Sequence, residues 1–372
     1  MREELQSVAV EAPTCFFRSS VQPPLRKALV QITERCNLHC AHCFVSAGNL
    51  GRDMSLDVFA DTILPRLKAC RVATITLTGG ESFVHPDVLA MVTIARSSGF
   101  RVGICTNATL ITDTQIQQLA DLGNVHLNVS LDGFQPESHG RFRGDVSSFD
   151  KTIRTIRSLA HSNLLQGILT TPNTLADVAE YAEICSFAAQ NGAKYLLMNP
   201  LSTMGRGVST KEKLGASVRA MRDIREITEP YSDRIELVYV RFPNESLPLT
   251  SCGAGDIVYV FVGGELTICP YLVFAARSPN SRHNPDEFIV GNMLASGEIA
   301  AMLDAFDFHG RYHLGRHPTC RRCTFKSRCG MGCPAAVVAS GQRIEQGIDS
   351  EVCPKMTGAY RSLHQIPVKL AG

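Results

Sequence analysis

Between residues 28 and 198 the chain alternates repeatedly between short apolar runs of strand length and longer stretches whose apolar residues recur with helical period. That alternation restricts the fold more than any other feature. Residues 28–32, 72–77, 102–105, 125–129, 165–169 and 195–198 read as strands. Leu56, Phe59, Ile63 and Leu67 behind a Ser55 cap, then 88–95, 116–122, 153–159, and Val178, Tyr181, Cys185 and Ala188, read as the intervening helices. Strands joined through helices run parallel, so the pattern predicts a sheet of βα units. In βα barrels the carboxyl ends of the strands carry the active site. Here those ends read Gly79-Gly80-Glu81, Thr106-Asn107, Ser130-Leu131-Asp132, Thr170-Thr171 and Asn199-Pro200, and all of them are expected at one mouth.

The end of the first strand differs from the others. It runs straight into Cys36, Cys40 and Cys43, separated by three and two residues. Three thiolates in one loop can hold three corners of an iron-sulfur cubane and leave its fourth iron open, whereas ferredoxin-type clusters take a fourth cysteine, and none lies nearby. An open iron can chelate a small ligand and pass it an electron. Cysteine spacing alone also allows zinc. Gly79 and Gly80 let backbone approach a ligand closely, and Glu81 offers an anion to an ammonium group. Arg143 offers a planar fork to a carboxylate, with Arg141 close enough to substitute. Taken singly, each of these residues is also an ordinary turn glycine or surface charge.

The cysteine loop after the first strand and the Gly-Gly-Glu after the second resemble those of the radical S-adenosylmethionine (SAM) enzymes, over roughly 28–206. The resemblance implies an α/β fold, a partial six-stranded (β/α)6 barrel at 27–227, in which Cys36, Cys40 and Cys43 ligate a 4Fe-4S cluster whose open iron binds SAM. It further implies that Gly79, Gly80 and Glu81 approach the methionine amino group, that Asn107 and Ser130 contact the cofactor, and that Arg143 pairs with its carboxylate. Two positions depart from the family pattern. His42 stands where many members carry an aromatic residue, and Ala108 replaces a common glycine.

Seven cysteines follow residue 250: Cys252, Cys269, Cys320, Cys323, Cys329, Cys333 and Cys353. Interspersed with glycine and proline in a chain that reads as cytosolic, they suggest metal ligands rather than disulfides. Zinc is again the alternative. The pattern resembles the SPASM extension, a small cysteine-rich α+β domain with auxiliary clusters, expected at 251–355 behind a linker and strand at 228–250. By that resemblance Cys320, Cys323, Cys329 and Cys353 hold one 4Fe-4S cluster and Cys252, Cys269 and Cys333 part of a second. The second set counts three, so its fourth iron is expected to lack a cysteine ligand and to take a peptide substrate through its own thiolate, with water, a histidine such as His313 or His317, or a glutamate as the alternative. Cys70 and Cys185 lie on apolar helix stripes and read as buried small hydrophobes. Cys105 shares strand parity with Asn107 and is the candidate thiol for returning a hydrogen atom to a product radical. Cys15 is assigned no role.

With 372 residues, 44% of them apolar, the chain has room for a barrel and a smaller domain. Lys and Arg total 37 against 35 acidic residues, so the charge carries no footprint for nucleic acid or an anionic membrane. No apolar run reaches the length of a bilayer span. The extension at 1–26 carries Glu3, Glu4 and Glu11 without a hydrophobic core, unlike a secretory signal. Iron-binding cysteines must stay reduced, so a cytoplasmic location is expected. The tail at 356–372 has no signal.

The family resemblance implies that a reduced cluster cleaves SAM and that the resulting 5′-deoxyadenosyl radical takes a hydrogen atom from an unactivated carbon. The SPASM resemblance favours a ribosomally made precursor peptide as substrate, to be crosslinked or epimerised. The alternative is a small molecule, an aminosugar, nucleoside or porphyrin, undergoing epimerisation, dehydrogenation or decarboxylation. The short extension before the first strand keeps that alternative open, and for a peptide it implies a separate leader-recognition protein. A flavodoxin- or ferredoxin-type donor is expected to supply electrons. A non-catalytic iron-sulfur or zinc scaffold fits poorly with an intact Gly-Gly-Glu. A sulfatase-maturing activity fits poorly with Pro270 directly after Cys269, where that subgroup carries an aspartate.

Overall fold

The computed structural model describes residues 11–15 and 21–357; the rest of the expected amino-terminal extension and carboxyl-terminal tail lies outside the described residues. The strands are β1 (Arg26–Thr33), β2 (Val72–Gly79), β3 (Arg101–Thr106), β4 (Val125–Ser130), β5 (Leu165–Thr170), β6 (Tyr195–Met198), β7 (Glu236–Tyr239), β8 (Ile257–Val260), β9 (Glu265–Thr267) and β10 (Ile289–Asn292). They form one sheet in the order β10-β9-β8-β1-β2-β3-β4-β5-β6-β7. From β1 to β7 every pairing is parallel, and helices 88–97, 113–122, 148–161 and 178–190 cross between successive strands. The α/β barrel architecture expected from the alternation is therefore present, with the carboxyl ends of β1 to β7 at one edge.

The cysteine-rich region is joined to the barrel through the sheet. β8 pairs in parallel with β1, from Lys27 opposite Ile257 to Val30 opposite Val260. β9 and β10 continue beyond it as antiparallel strands. Ile257, Val258, Tyr259 and Val260 are all buried and share one core with Ala28, Val30 and Ile32. Burying each such aliphatic side chain contributes about 1.5–3 kcal/mol. The Gly263-Gly264 turn lies between β8 and β9, with Gly264 at φ 86°.

Between β6 and β8 the chain carries more structure than the sequence reading assigns to it. Toward the expected end of the barrel at residue 227 the chain forms two helices, Gly207–Leu214 and Val218–Thr228, because Gly215 adopts ψ 133° and the Ser217 hydroxyl caps the second helix by accepting from the Ala220 N–H. The residues read as a linker contain a helical turn, Glu229–Tyr231. The strand that follows, β7, extends the barrel edge next to β6. A further helix, Pro270–Ala276, has no polar face to betray it, since all of its residues are buried. Cys70 and Cys185 are buried in the core as read.

Candidate functional site

Three strand-end segments clamp the cysteine loop. After β3, Asn107 Nδ2 donates to Asn37 Oδ1 (3.0 Å) and Asn37 Nδ2 to Thr109 Oγ1 (2.8 Å). After β4, the turn at Arg141–Arg143 accepts the His39 and Ala41 N–H groups at its Arg143 and Phe142 carbonyls. After β6, Arg206 donates from Nε to the Cys40 carbonyl and from Nη1 to the Ala47 carbonyl, both at 2.7 Å. Thr210 Oγ1 donates to the Ala41 carbonyl at 2.8 Å. The sequence gives no sign of Arg206 or Thr210, whose partners lie more than 150 residues away along the chain.

The second strand end is shaped for contact with this loop. At Gly79, φ is 154° and an added Cβ would lie 2.2 Å from the Thr33 carbonyl oxygen. At Gly80 an added Cβ would lie 2.1 Å from the Arg35 carbonyl oxygen and 3.0 Å from Cys36 Cβ. Both glycines are thus required for close backbone approach. Glu81 is buried. Its Oε1 accepts from Thr106 Oγ1 (2.6 Å) and the Phe83 N–H (3.1 Å), and its Oε2 from the Asn107 N–H (2.6 Å). A carboxylate has about four acceptor positions, so Oε2 keeps one for a ligand. Burial raises the Glu81 carboxyl above its usual range against the pull of these donors. Ala108, at the family's glycine position, adopts φ 62°.

Arg143 is buried and Arg141 exposed, which separates the two candidate cations. Arg143 donates from Nε to Asp132 Oδ2 at 2.7 Å, its Nη2 lies 2.7 Å from the same oxygen, and Nη1 points at the Cys40 sulfur at 3.9 Å. Burial pushes the Asp132 carboxyl up, but Arg143, His42 and His139 together hold it below its usual range. His42 stacks on Phe142 with ring centroids 4.6 Å apart, and burial lowers its pKa to about 4. It is therefore a neutral ring within the loop.

Cys36, Cys40 and Cys43 line a cavity of about 280 Å³ together with Gly79, Gly80, Glu81, Asn107, Ser130 and Arg143. The structure brings every sequence-predicted residue of the cofactor set to this one cavity. Cys105 lines it too, as strand parity predicts, and burial raises its thiol pKa. Sequence reading missed other lining residues, among them Lys27, Asn128 and Tyr195, the last donating from Oη to Asn128 Oδ1 at 2.6 Å, and Ile257, Tyr259 and Tyr271 from the cysteine-rich region. Asn199 Oδ1, also at this mouth, is buried without a hydrogen-bond partner.

The donor set suits an iron-sulfur cluster. Cys36, Cys40 and Cys43 form no disulfide; Cys36 feels the charge of Cys43, and Cys40 that of both Cys43 and Cys36. Burial pushes Cys36 to about 11 and Cys40 to about 12, so metal binding there must displace protons. Among the described residues no three His, Cys, Asp or Glu side chains converge tightly enough for a single ion; ligands of separate irons in a cubane stand further apart than that.

In the cysteine-rich region, Cys320 and Cys353 each sense Cys323 and Cys329, so these four thiols are grouped. Cys252, Cys269 and Cys333 line a second cavity, and Cys15 lines it with them. His313 and His317 do not line it. Ile257 and Tyr271 line both this cavity and the main one. Among the described residues no helix is long and apolar enough to cross a membrane.

The model of the Radical SAM superfamily matches residues 30–184. The chain is 27% identical over 342 residues to the mycofactocin maturase MftC of Mycolicibacterium smegmatis, covering 88% of this chain and 82% of that protein. It is 27% identical over 244 residues to the sporulation killing factor maturation protein SkfB of Bacillus subtilis, covering 64% of this chain and 59% of that one. The crystal structure of Streptococcus suis SuiB bound to the precursor peptide SuiA superposes with a TM-score of 0.69 at 16% identity, over 88% of this chain and 75% of that one, a likeness of fold. Motif, relatives and fold agree with the cysteine loop's geometry, and residues 30–184 of this enzyme are a radical SAM domain, of the kind that works with a 4Fe-4S cluster and SAM.

Proposed function

We propose that this enzyme modifies a peptide, a ribosomally made precursor in which it forms a crosslink or an epimer. The observation that carries this reading is the pair of cavities sharing Ile257 and Tyr271, one beneath the cysteine loop and one among the later cysteines. A substrate in the first is separated from a redox centre in the second by single side chains. The relatives add weight: two are named as maturases or maturation proteins, and SuiB was crystallised with a precursor peptide.

Cys36, Cys40 and Cys43 would hold the SAM-binding cluster. Bound there, cluster and SAM supply the 5′-deoxyadenosyl radical that takes a hydrogen atom from the substrate. Glu81 receives an ammonium N–H on its remaining Oε2 position. Arg143, fixed by Asp132, sets a positive charge behind Cys40 and toward a carboxylate, with Asn107 and Ser130 flanking it. Lys27, Asn128 and Tyr195 form a polar floor that orients the substrate. Cys105, kept protonated by burial, is the hydrogen donor to a product radical where one is needed. Residues 27–227 act as the catalytic barrel and 251–355 as a SPASM domain with two auxiliary clusters, so the loaded chain carries about twelve irons. A flavodoxin- or ferredoxin-type protein delivers electrons, and a separate protein recognises the leader peptide.

The test is anaerobic incubation of the reconstituted enzyme with deuterated precursor peptides and, in parallel, deuterated aminosugars, nucleosides and porphyrins. Deuterium in 5′-deoxyadenosine from a peptide supports the reading. Transfer only from a small molecule replaces it with the small-molecule alternative.

A further inference from the structure

Counting cysteines after residue 250 leaves the second auxiliary site one ligand short. The structure brings a further thiol to that cavity from the amino-terminal segment. Ala12 bridges Leu249 in parallel register, with the Ala12 N–H donating to the Pro248 carbonyl (2.8 Å) and the Thr250 N–H to the Ala12 carbonyl (3.0 Å). The Thr14 N–H donates to Thr250 Oγ1 at 3.1 Å, and the Arg241 N–H to the Pro13 carbonyl at 2.9 Å. Carried three residues on, this register sets Cys15 beside Cys252. The Cys15 thiol donates to the Ser251 carbonyl at 3.4 Å and is in hydrogen-bond contact with the Cys252 thiol.

Resting on the reading of this region as an auxiliary-cluster domain, we infer that Cys15 is the fourth protein ligand of the cluster held by Cys252, Cys269 and Cys333, so that this cluster is closed by cysteine. The four thiols surround a cavity of about 70 Å³, several times the roughly 10–15 Å³ that one water-sized occupant needs on the same measure. Ala254, Ile257, Ile268 and Leu272 supply apolar wall between them. Cys269 and Cys333 both feel the charge of Cys15, so it faces the whole set and not Cys252 alone. The buried Arg241 guanidinium, paired with Asp349 (Nη2 to Oδ1 2.9 Å), lies close enough to act on both Cys15 and Cys333. Asp349 in turn accepts the Cys333 N–H at 3.1 Å. A cation behind the thiolates and a carboxylate fixing one ligand's backbone are the outer-shell support that a metal site requires. The amino-terminal segment is then stapled across the fold, and the fourth iron is not open to a substrate thiolate. A closed cluster one side chain from the substrate chamber serves electron transfer.

The experiment uses the full chain with Cys36, Cys40 and Cys43 replaced by alanine, so that only auxiliary clusters report. Protein with and without Cys15→Ala, and with Cys15→Ser, is reconstituted anaerobically. Iron and sulfide are then measured, and reduced samples are examined by electron paramagnetic resonance with ¹³C-labelled cyanide. With Cys15 intact, no ¹³C coupling is expected. In Cys15→Ala either a new ¹³C coupling marks an opened iron or about four irons are lost; in Cys15→Ser the cluster persists with a shifted spectrum. The unmutated holoenzyme gives a check independent of variant folding, since Cys15 should resist alkylation there and react once iron is chelated. Unchanged iron and spectrum in Cys15→Ala, cyanide coupling with Cys15 intact, or alkylation of Cys15 in the holoenzyme would each overturn the inference. Zinc in place of iron and sulfide would overturn the auxiliary-cluster reading itself, and the inference with it.

Discussion

At the scale of single residues, the site depends on buried polar groups with their partners already in place. Glu81 is the plainest case, since three donors hold its carboxylate and one acceptor position remains on Oε2. In Glu81→Gln the amide NH2 must face either the Asn107 N–H or the Phe83 N–H, leaving a buried donor unpaired, which costs about 1–3 kcal/mol. That cost falls on stability; the lost charge-assisted hydrogen bond to the ammonium group, worth about 1.5–3 kcal/mol, is expected to weaken SAM binding, followed by equilibrium dialysis, roughly tenfold or more, with deoxyadenosine formation falling alongside; unchanged affinity would remove Glu81 from the cofactor site. His139 makes a different prediction. It is fully buried, its Nδ1 accepts the Asp132 N–H at 3.1 Å, and burial lowers its pKa to about 3. Because the folded value lies below the unfolded one, the unfolded chain binds the proton first as pH falls. The stability His139 contributes is complete above about pH 6.5 and is lost progressively toward the folded value. By pH 5.5 the loss is about 1 kcal/mol. His139→Asn keeps an acceptor for the Asp132 N–H without the proton equilibrium, so its unfolding midpoint should change less than wild type between pH 7 and 5.5. Equal pH slopes for the two proteins would refute this.

At the scale of elements, the loop and strand ends form one interlocked layer. Gly80 is where β2 meets the cysteine loop, and an alanine there would drive Cβ into the Arg35 carbonyl and against Cys36. Gly80→Ala should leave the far-ultraviolet circular dichroism of the barrel unchanged and lower the iron content by about four per chain; full iron content would show that the loop can yield. Much of this layer was legible in the sequence, because period-two and helical patterns locate strands and helices and thereby put Cys36, Glu81, Asn107 and Ser130 at the same edge. What escaped was non-local. Arg206 and Thr210 brace the loop through backbone carbonyls, and a carbonyl partner leaves no mark on residue identity. Cys15 reaches Cys252 through a parallel register across the length of the chain, which no local period can signal. Pro270–Ala276, buried on every side, has no amphipathic stripe to read.

At the scale of the whole molecule, the cysteine-rich region completes the barrel's sheet and core. β1 lies inside the ten-stranded order, with β2 on one side and β8 on the other. Its Ala28, Val30 and Ile32 are fully buried in a core that continues through Val258, Val260 and Leu266. A chain ended after Thr250 would strip β1 of its β8 ladder and leave an apolar edge strand open, which is a template for association between chains. It would also uncover the Ile257 and Tyr271 side of the main cavity. We therefore expect the full reconstituted enzyme to unfold in one transition, with loss of cluster absorbance and of circular dichroism coinciding. The fragment ending at Thr250 should aggregate or lack a cooperative transition. A soluble fragment with a sharp melt, or two separated transitions in the full chain, would mean that the barrel is complete without β8. The shared wall between the two cavities would then be a docking contact between independent domains, and relative motion of those domains could change the path of an electron from substrate to auxiliary cluster.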